Sequence, residues 1–223
     1  MVHIEMDKIQ LPDVTLIAVS SIKIPETILA LQKSYKGIDF GAVKLISHEC
    51  PKELPEEIQF EECPLLDDII KYNRYIFKEL YTHIYTSHCL LTQYDSWVLN
   101  PELWNNDWLQ YDYCGAPWRW MPNSYICRDT GEHIRVGNGG MSLRSKKLIG
   151  LPKKYNIPLI HENFYFNEDG NIAVYNRVRF LELGIKYAPI EVAARFSYEN
   201  PVLENNMGNM PTFGFHKNMP KGI

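Results

Sequence analysis

Four short segments hold the residues best placed to do chemistry. In "HCLLTQYDSWVLN", residues 88–100, a single carboxylate, Asp95, closes an apolar run with no basic residue near it in sequence. Such an aspartate either caps the turn after a strand or serves as a hard-cation ligand, leaving open positions for phosphate oxygens and water. Gln93 lies two residues earlier, and strand alternation would turn both side chains into one crevice. "RVGNGGMSLRS", residues 135–145, places Gly137, Gly139 and Gly140 around Asn138, between Arg135 and Arg144. Its glycines permit a tight turn and close backbone approach to a ligand. Exposed backbone N–H groups beside two guanidinium groups suit an anion or a sugar hydroxyl. The spacing is neither a Walker loop nor the dinucleotide fingerprint, and a plain turn between a strand and a helix is the alternative.

The third segment, "FNEDGN", carries Glu168 and Asp169 ahead of a helical pattern. They suit a helix N-terminus as charges, or either could act as a general base on a hydroxyl. His161 and Glu162 are rivals for that role. In the fourth, "PTFGFHKN", Phe213 and Phe215 flank Gly214 just before His216. Aromatic residues in an otherwise polar tail predict that the tail, 197–223, folds back over the active site and brings His216 to the crevice. All five tryptophans lie between positions 97 and 120. Aromatic walls suit sugar rings and nucleobases, although a core cluster accounts for part of such a group.

The positioning elements are legible from periodicity. "VTLIAVSS" (14–21) has the β-branched apolar run of a strand buried on both faces. Pro25 opens a helix with an apolar stripe at Ile28, Leu31 and Tyr35, Gly37 ends it, and "AVKLIS" (42–47) is the next strand. The proline- and glutamate-rich stretch 49–66 reads as a surface loop. A long helix is expected from Asp67 to Tyr85, followed by the strand "HCLLT". Asp95 thus falls at a strand end after a crossover helix, where open α/β sheets form ligand crevices. Beyond it the pattern gives a polar loop (121–134), a glycine-rich turn (137–140), a short helix (141–149) and a helix near 171–183 stopped by Gly184.

The 223 residues, 45% hydrophobic and 22% charged, suit one domain, 1–223, with a core at about 12–196. A net charge of −4 without a basic block argues against nucleic acid as partner. The N-terminus lacks the pattern of a signal peptide, and no apolar run has the length of a transmembrane segment. Cys50, Cys63, Cys89, Cys114 and Cys127 are scattered without a C-x-x-C pair or zinc-finger histidines. They read as free thiols in a reducing, cytoplasmic setting.

The succession "YNRYIFKELY", "LLTQYDSWVLN", "YDYCGAPW", "VGNGGMSLRS", "NED", "IEVAARFSYE" and "FGFH" resembles a family of uncharacterised domains similar to nucleotide-sugar glycosyltransferases of the GT-A type. The likeness spans roughly residues 12–218. It implies an α/β fold, a Rossmann-type sandwich with a mixed central sheet. It also implies a metal-assisted hexosyl- or pentosyltransferase moving a sugar from a nucleotide sugar, a UDP-sugar being favoured, to a glycan or glycoconjugate acceptor. In such enzymes a D-x-D triplet holds the donor's divalent cation. Here the matching triplet is Gln93-Tyr94-Asp95, so the first carboxylate is an amide. The resemblance leaves Asp95 and His216 as metal ligands, a mixed oxygen–nitrogen set suited to Mn2+ more than Mg2+. Gln93, Asp95, Ser96, Trp97, Trp118, Asn138, Gly139, Gly140 and Arg144 would line the donor and acceptor pocket. Asp169 or Glu168 would be the base, Asp169 preferred. A catalytically silent sugar- or nucleotide-binding module and a nucleotidyltransferase on a similar frame are the competing readings.

Overall fold

The computed structural model of the protein describes residues 8–161 and 167–220. The chain opens with β1 (Ile9–Val19), α1 (Ile24–Tyr35) and β2 (Ile38–Ser47), then β3 (Gln59–Glu62), α2 (Ile69–Lys78) and β4 (His88–Thr92). Short strands β5 (Ser96–Val98) and β6 (Tyr113–Gly115) follow, then β7 (Ser142–Ser145) and α3 (Lys146–Lys154). One helical turn, α4 (Glu168–Gly170), runs into a π-helical turn, Asn171–Tyr175. The remainder is α5 (Arg177–Glu182), α6 (Ile190–Phe196), β8 (Ser197–Tyr198) and β9 (Gly214–His216).

Six strands form one mixed sheet in the order β3-β2-β1-β4-β7-β6. β3, β2, β1 and β4 run parallel, and β7 is antiparallel to both of its neighbours. After β1 the chain winds outward to β3, then returns through α2 to β4 on the other side. The strand order therefore reverses between β1 and β4, which opens a crevice at their C-terminal ends. β1 and β4 are central and carry apolar side chains to both faces: Leu16, Ile17, Leu90 and Leu91 are wholly buried.

The tail builds a second sheet, β5-β9-β8, in which β9 runs antiparallel to β5 with His216 opposite Ser96. What holds it there is aromatic. Phe213 is fully buried among Trp104, Trp108 and Phe196, and Phe215 stands edge-on to Trp97 at 4.5 Å between ring centroids. Most of the tryptophan group is thus core.

Several element boundaries differ from the sequence expectation. β3 lies inside the stretch read as a loop, because a largely exposed edge strand, "QFEE", has no apolar alternation to announce it. The helix expected from 67 to 85 stops at Lys78 and tightens into a 3-10 turn, Leu80–His83, where the His83 ring is held by Glu61 and Tyr75. The segment expected as a helix from 141 begins as β7, all four residues of which are buried. Ser145 then caps α3, its hydroxyl accepting from the Leu148 N–H at 3.0 Å. Among the described residues no helix is long and apolar enough to cross a membrane.

Candidate active site

A pocket of about 550 Å³ occupies the crevice at the ends of β1 and β4. Its near wall is the chain just past each strand: Ser20 and Ser21 after β1, Gln93 to Asp95 after β4. α2 supplies Tyr72 and Asn73, the glycine segment supplies Asn138 to Gly140, and α4 supplies Glu168 and Asp169. His216 closes the site from β9.

The turn bearing Asp95 is fixed by Ser96. The Ser96 hydroxyl, fully buried, accepts from the Gln93 N–H at 2.8 Å and lies 2.8 Å from the Gly140 carbonyl, to which it donates. Ser96 therefore ties the β4–β5 turn to the glycine segment and does not face the pocket. Across the β5–β9 pairing, the Lys217 N–H donates to the Asp95 carbonyl at 3.0 Å, which brings His216 beside Asp95. His216 Nε2 and Asp95 Oδ1 are 3.7 Å apart. Both atoms are buried, and neither has a hydrogen-bond partner.

Two unpartnered buried polar atoms converging on one point need an explanation, since each carries a desolvation penalty. A divalent cation between them would remove it. The opposite side of the imidazole is prepared for that role: Nδ1 lies 3.2 Å from a Glu199 carboxylate oxygen and 3.1 Å from the Asn138 amide nitrogen. A carboxylate only accepts, and a charge-assisted bond is the stronger of the two. With the Nδ1 proton directed at Glu199, the Nε2 lone pair would be left for a metal, the arrangement by which ligating histidines are oriented. Among the described residues no group of three or more His, Cys, Asp or Glu side chains is arranged to hold a metal. Asp95 and His216 are a pair, and the residues fit a cation whose other positions belong to phosphate oxygens and water.

Gln93 lines the pocket but is anchored, its amide N–H donating to the Tyr72 hydroxyl at 2.9 Å. The glycine segment works differently from the sequence expectation. Its N–H groups are occupied internally: Gly139 donates to Asp169 Oδ2 at 3.0 Å and Gly140 to Asn138 Oδ1 at 3.2 Å. The glycines are required by crowding. A Cβ on Gly140 would lie 2.1 Å from the His216 ring, and one on Gly139 would lie 2.8 Å from Glu168 Oε1. Gly140→Ala should therefore push His216 aside, costing about 1–3 kcal/mol of stability as an overpacking change, and would weaken the binding of any cation held by that histidine. Thermal denaturation with and without Mn2+ reads both effects.

The acidic pair divides into two roles. Glu168 is buried and takes a bidentate ion pair from Arg144, at 2.8 and 3.0 Å. Arg144 is also fully buried, its charged form strongly favoured by that carboxylate. Arg144 thus faces Glu168, not a ligand, and Arg135 is likewise engaged, with the Trp118 carbonyl and Glu204. Asp169 is different. Burial and the neighbouring Glu168 charge push its carboxyl up to about 7, against the pull of the Gly170 and Gly139 N–H groups and of Arg144. A carboxyl poised near neutrality beside a pocket is what a general base needs.

Of the residues singled out in sequence, Gln93, Asp95, Trp118, Asn138, Gly139, Gly140, Glu168, Asp169 and His216 line the pocket, while Ser96, Trp97 and Arg144 do not. Trp97 sits against Phe215 with the Lys33 ammonium 3.6 Å from its ring centroid. His161 is exposed and off the pocket, and Glu162 lies outside the described residues. Sequence reasoning missed Ser20, Ser21, Tyr72, Asn73 and Glu199. The two serines follow an apolar strand as Asp95 does, so the same strand-end argument would have found them. Tyr72 falls inside the expected long helix with nothing local to single it out, and Glu199 carries no local signal.

The fold is shared with glycosyltransferases of known structure. A crystal structure of the galactosyltransferase LgtC in complex with donor and acceptor sugar analogs matches with a TM-score of 0.56 at 12% identity, over 91% of this chain and 86% of that one. An active-site mutant of LgtC matches with a TM-score of 0.54 at 14% identity, over 92% and 88% of the two chains. The six-stranded mixed α/β sheet is therefore that of the GT-A glycosyltransferases. No curated protein sequence matches the chain significantly. A family described as "Protein of unknown function (DUF5672)" matches residues 56–216, and the chain belongs to that family.

Proposed function

We propose that the protein is a glycosyltransferase that moves a sugar from a nucleoside-diphosphate sugar, a UDP-sugar foremost, to an acceptor hydroxyl. The observation that carries the reading is the convergence of Asp95 Oδ1 and His216 Nε2, both buried and unpartnered, at the crevice of a GT-A sheet that also holds Asp169. In this reading the crevice at the ends of β1 and β4 binds the donor. Asp95 and His216 hold a divalent cation, Mn2+ preferred, with Glu199 fixing the imidazole. When bound, the cation neutralises charge developing on the leaving diphosphate. Asp169 accepts the proton of the acceptor hydroxyl as its oxygen bonds to the anomeric carbon and the bond from that carbon to the diphosphate oxygen breaks. Glu168, held by Arg144, positions Asp169 and is not the base.

The test is a thermal-shift panel of nucleotide sugars, each with and without Mn2+, since a ligand specific for the folded state raises its apparent stability by mass action. At least one donor should stabilise the wild type, more strongly with Mn2+. Asp95→Asn should keep the fold and lose the Mn2+-dependent part, because an amide offers no anionic ligand. A full Mn2+ response in that variant would overturn the assignment of Asp95.

A further inference from the structure

Three aromatic residues line the same pocket as Asp169: Trp118, Tyr125 and Tyr175. Trp118 and Tyr125 stack with centroids 4.0 Å apart and planes 13° from parallel. Trp118 is the inner partner, 5% exposed, packed so closely on Gly137 and Ala173 that a Cβ on that glycine would meet both. Tyr125 is the outer, half-buried partner.

Two backbone irregularities aim these rings. Tyr125 has φ +59°, a left-handed conformation that costs a bulky side chain energy. The segment over-determines it: the Ile134 N–H donates to the Tyr125 carbonyl at 2.7 Å, and Ile126 bridges His133 in the next position. Tyr175 ends the π-helical turn that begins two residues after Asp169, with the Asn176 N–H reaching the Asn171 carbonyl at 3.0 Å. The wholly buried Asn171 builds that turn, its side chain bonding Ile160 on both backbone groups and meeting the Asn176 amide. Single π turns are concentrated at functional sites. Here the turn puts Tyr175 on the pocket within two helical turns of the proposed base.

We infer that Tyr125 and Tyr175, with Trp118 backing Tyr125, form the acceptor-selecting wall, and that the acceptor presents a sugar ring there. The inference rests on the transferase reading above. Its chemistry is that of a saccharide: flat C–H faces pack on aromatic faces while hydroxyls at the ring edge reach a carboxylate, here Asp169. A serine or threonine hydroxyl on a polypeptide has no such face, and neither has a simple alcohol. A nucleobase could stack equally well, but Tyr175 stands beside Gly170, next to the residue proposed to work on the acceptor.

The experiment is calorimetric titration of the full chain with a panel of methyl glycosides and disaccharides of hexoses, pentoses and amino sugars, and separately with nucleotide sugars plus Mn2+. It compares wild type, Tyr125→Gly, Tyr175→Ala and Tyr175→Phe. Glycine suits a positive φ, so Tyr125→Gly removes the ring without burdening the backbone. The expected result is a loss of about tenfold or more in saccharide affinity for Tyr125→Gly and Tyr175→Ala, as deleting a stacking ring implies. Tyr175→Phe should retain it, and nucleotide-sugar affinity should stay within about twofold throughout. Unchanged saccharide affinity in both ring deletions overturns the inference, as does a wild type that binds no saccharide of the panel. Loss of nucleotide-sugar binding with saccharide binding intact also overturns it, by assigning the wall to the donor. A wild type that binds saccharides through the wall but no nucleotide sugar instead defeats the transferase reading and leaves the wall standing as a saccharide surface.

Discussion

Asp169→Asn should lose about a hundredfold or more in transfer rate, the scale of general-base catalysis, while binding donor and Mn2+ as the wild type does. The asymmetry follows from where the residue acts. In the proposed reaction Asp169 would take a proton from the acceptor, whereas the donor's diphosphate would meet Asp95 and His216. The amide keeps the shape of the carboxylate and can still accept the Gly139 or Gly170 N–H bond, so the glycine segment should stay in place. pH provides a second readout. With the carboxyl raised to about 7, the wild-type rate should climb as pH rises through neutrality and then level, and that limb should vanish in the variant. Stability should move the opposite way. The unfolded chain releases this proton near pH 4, whereas the folded chain holds it to about 7. Between those values the native state binds more protons, so the contribution of Asp169 to stability falls as pH rises through that window. A variant that transfers sugar at full rate would place the base elsewhere.

Arg144→Met should be among the most destabilising single changes in the protein. It leaves Glu168 buried with no cation opposite it, and breaking one side of a buried pair costs about 3–5 kcal/mol. For a chain of this length that corresponds to a fall of about 6–20 °C in Tm. The double variant Arg144→Met, Glu168→Leu should recover much of the loss, because it removes the stranded charge together with its partner. Thermal denaturation of the two single variants and the double one checks this. If Arg144→Met alone melts like the wild type, the ion pair is not what secures α4 against β7, and Glu168 returns as a candidate base.

Local reasoning reached the parts of this molecule whose physics is local. The apolar runs of β1 and β4 and the stripe on α1 are decided by burial within one element; β4 and the α1 stripe stand where periodicity put them, while β1 starts earlier, at Ile9, and ends at Val19. Asp95 was legible because a strand end in an α/β sheet is a known place for chemistry. β7 was not, because its signal is a buried arginine, and an arginine is buried only by a partner twenty-four residues away. The same distance problem hid the role of Glu168, whose neighbour Asp169 looks chemically equivalent until the structure pairs Glu168 with a guanidinium and gives Asp169 only backbone N–H donors. The glycine segment was read as a ligand cradle because glycine permits both close ligand approach and close packing. Only the positions of His216 and Asp169 show that packing is the reason. Glu199 and the Tyr125–Trp118 stack depend on the folded-back tail and on the segment 117–136, and no short-range pattern marks either.

The most direct test of the central claim is turnover: nucleoside diphosphate released from a panel of nucleotide sugars by the wild-type protein with Mn2+, with and without a saccharide acceptor, followed alongside the new glycoside. One donor should yield nucleoside diphosphate and glycoside in equal amounts, removing Mn2+ should suppress both, and His216→Ala should do the same. A protein that binds a nucleotide sugar in this pocket with Mn2+ yet never releases the sugar, whatever saccharide is supplied, would contradict it and leave a binding module in place of a transferase.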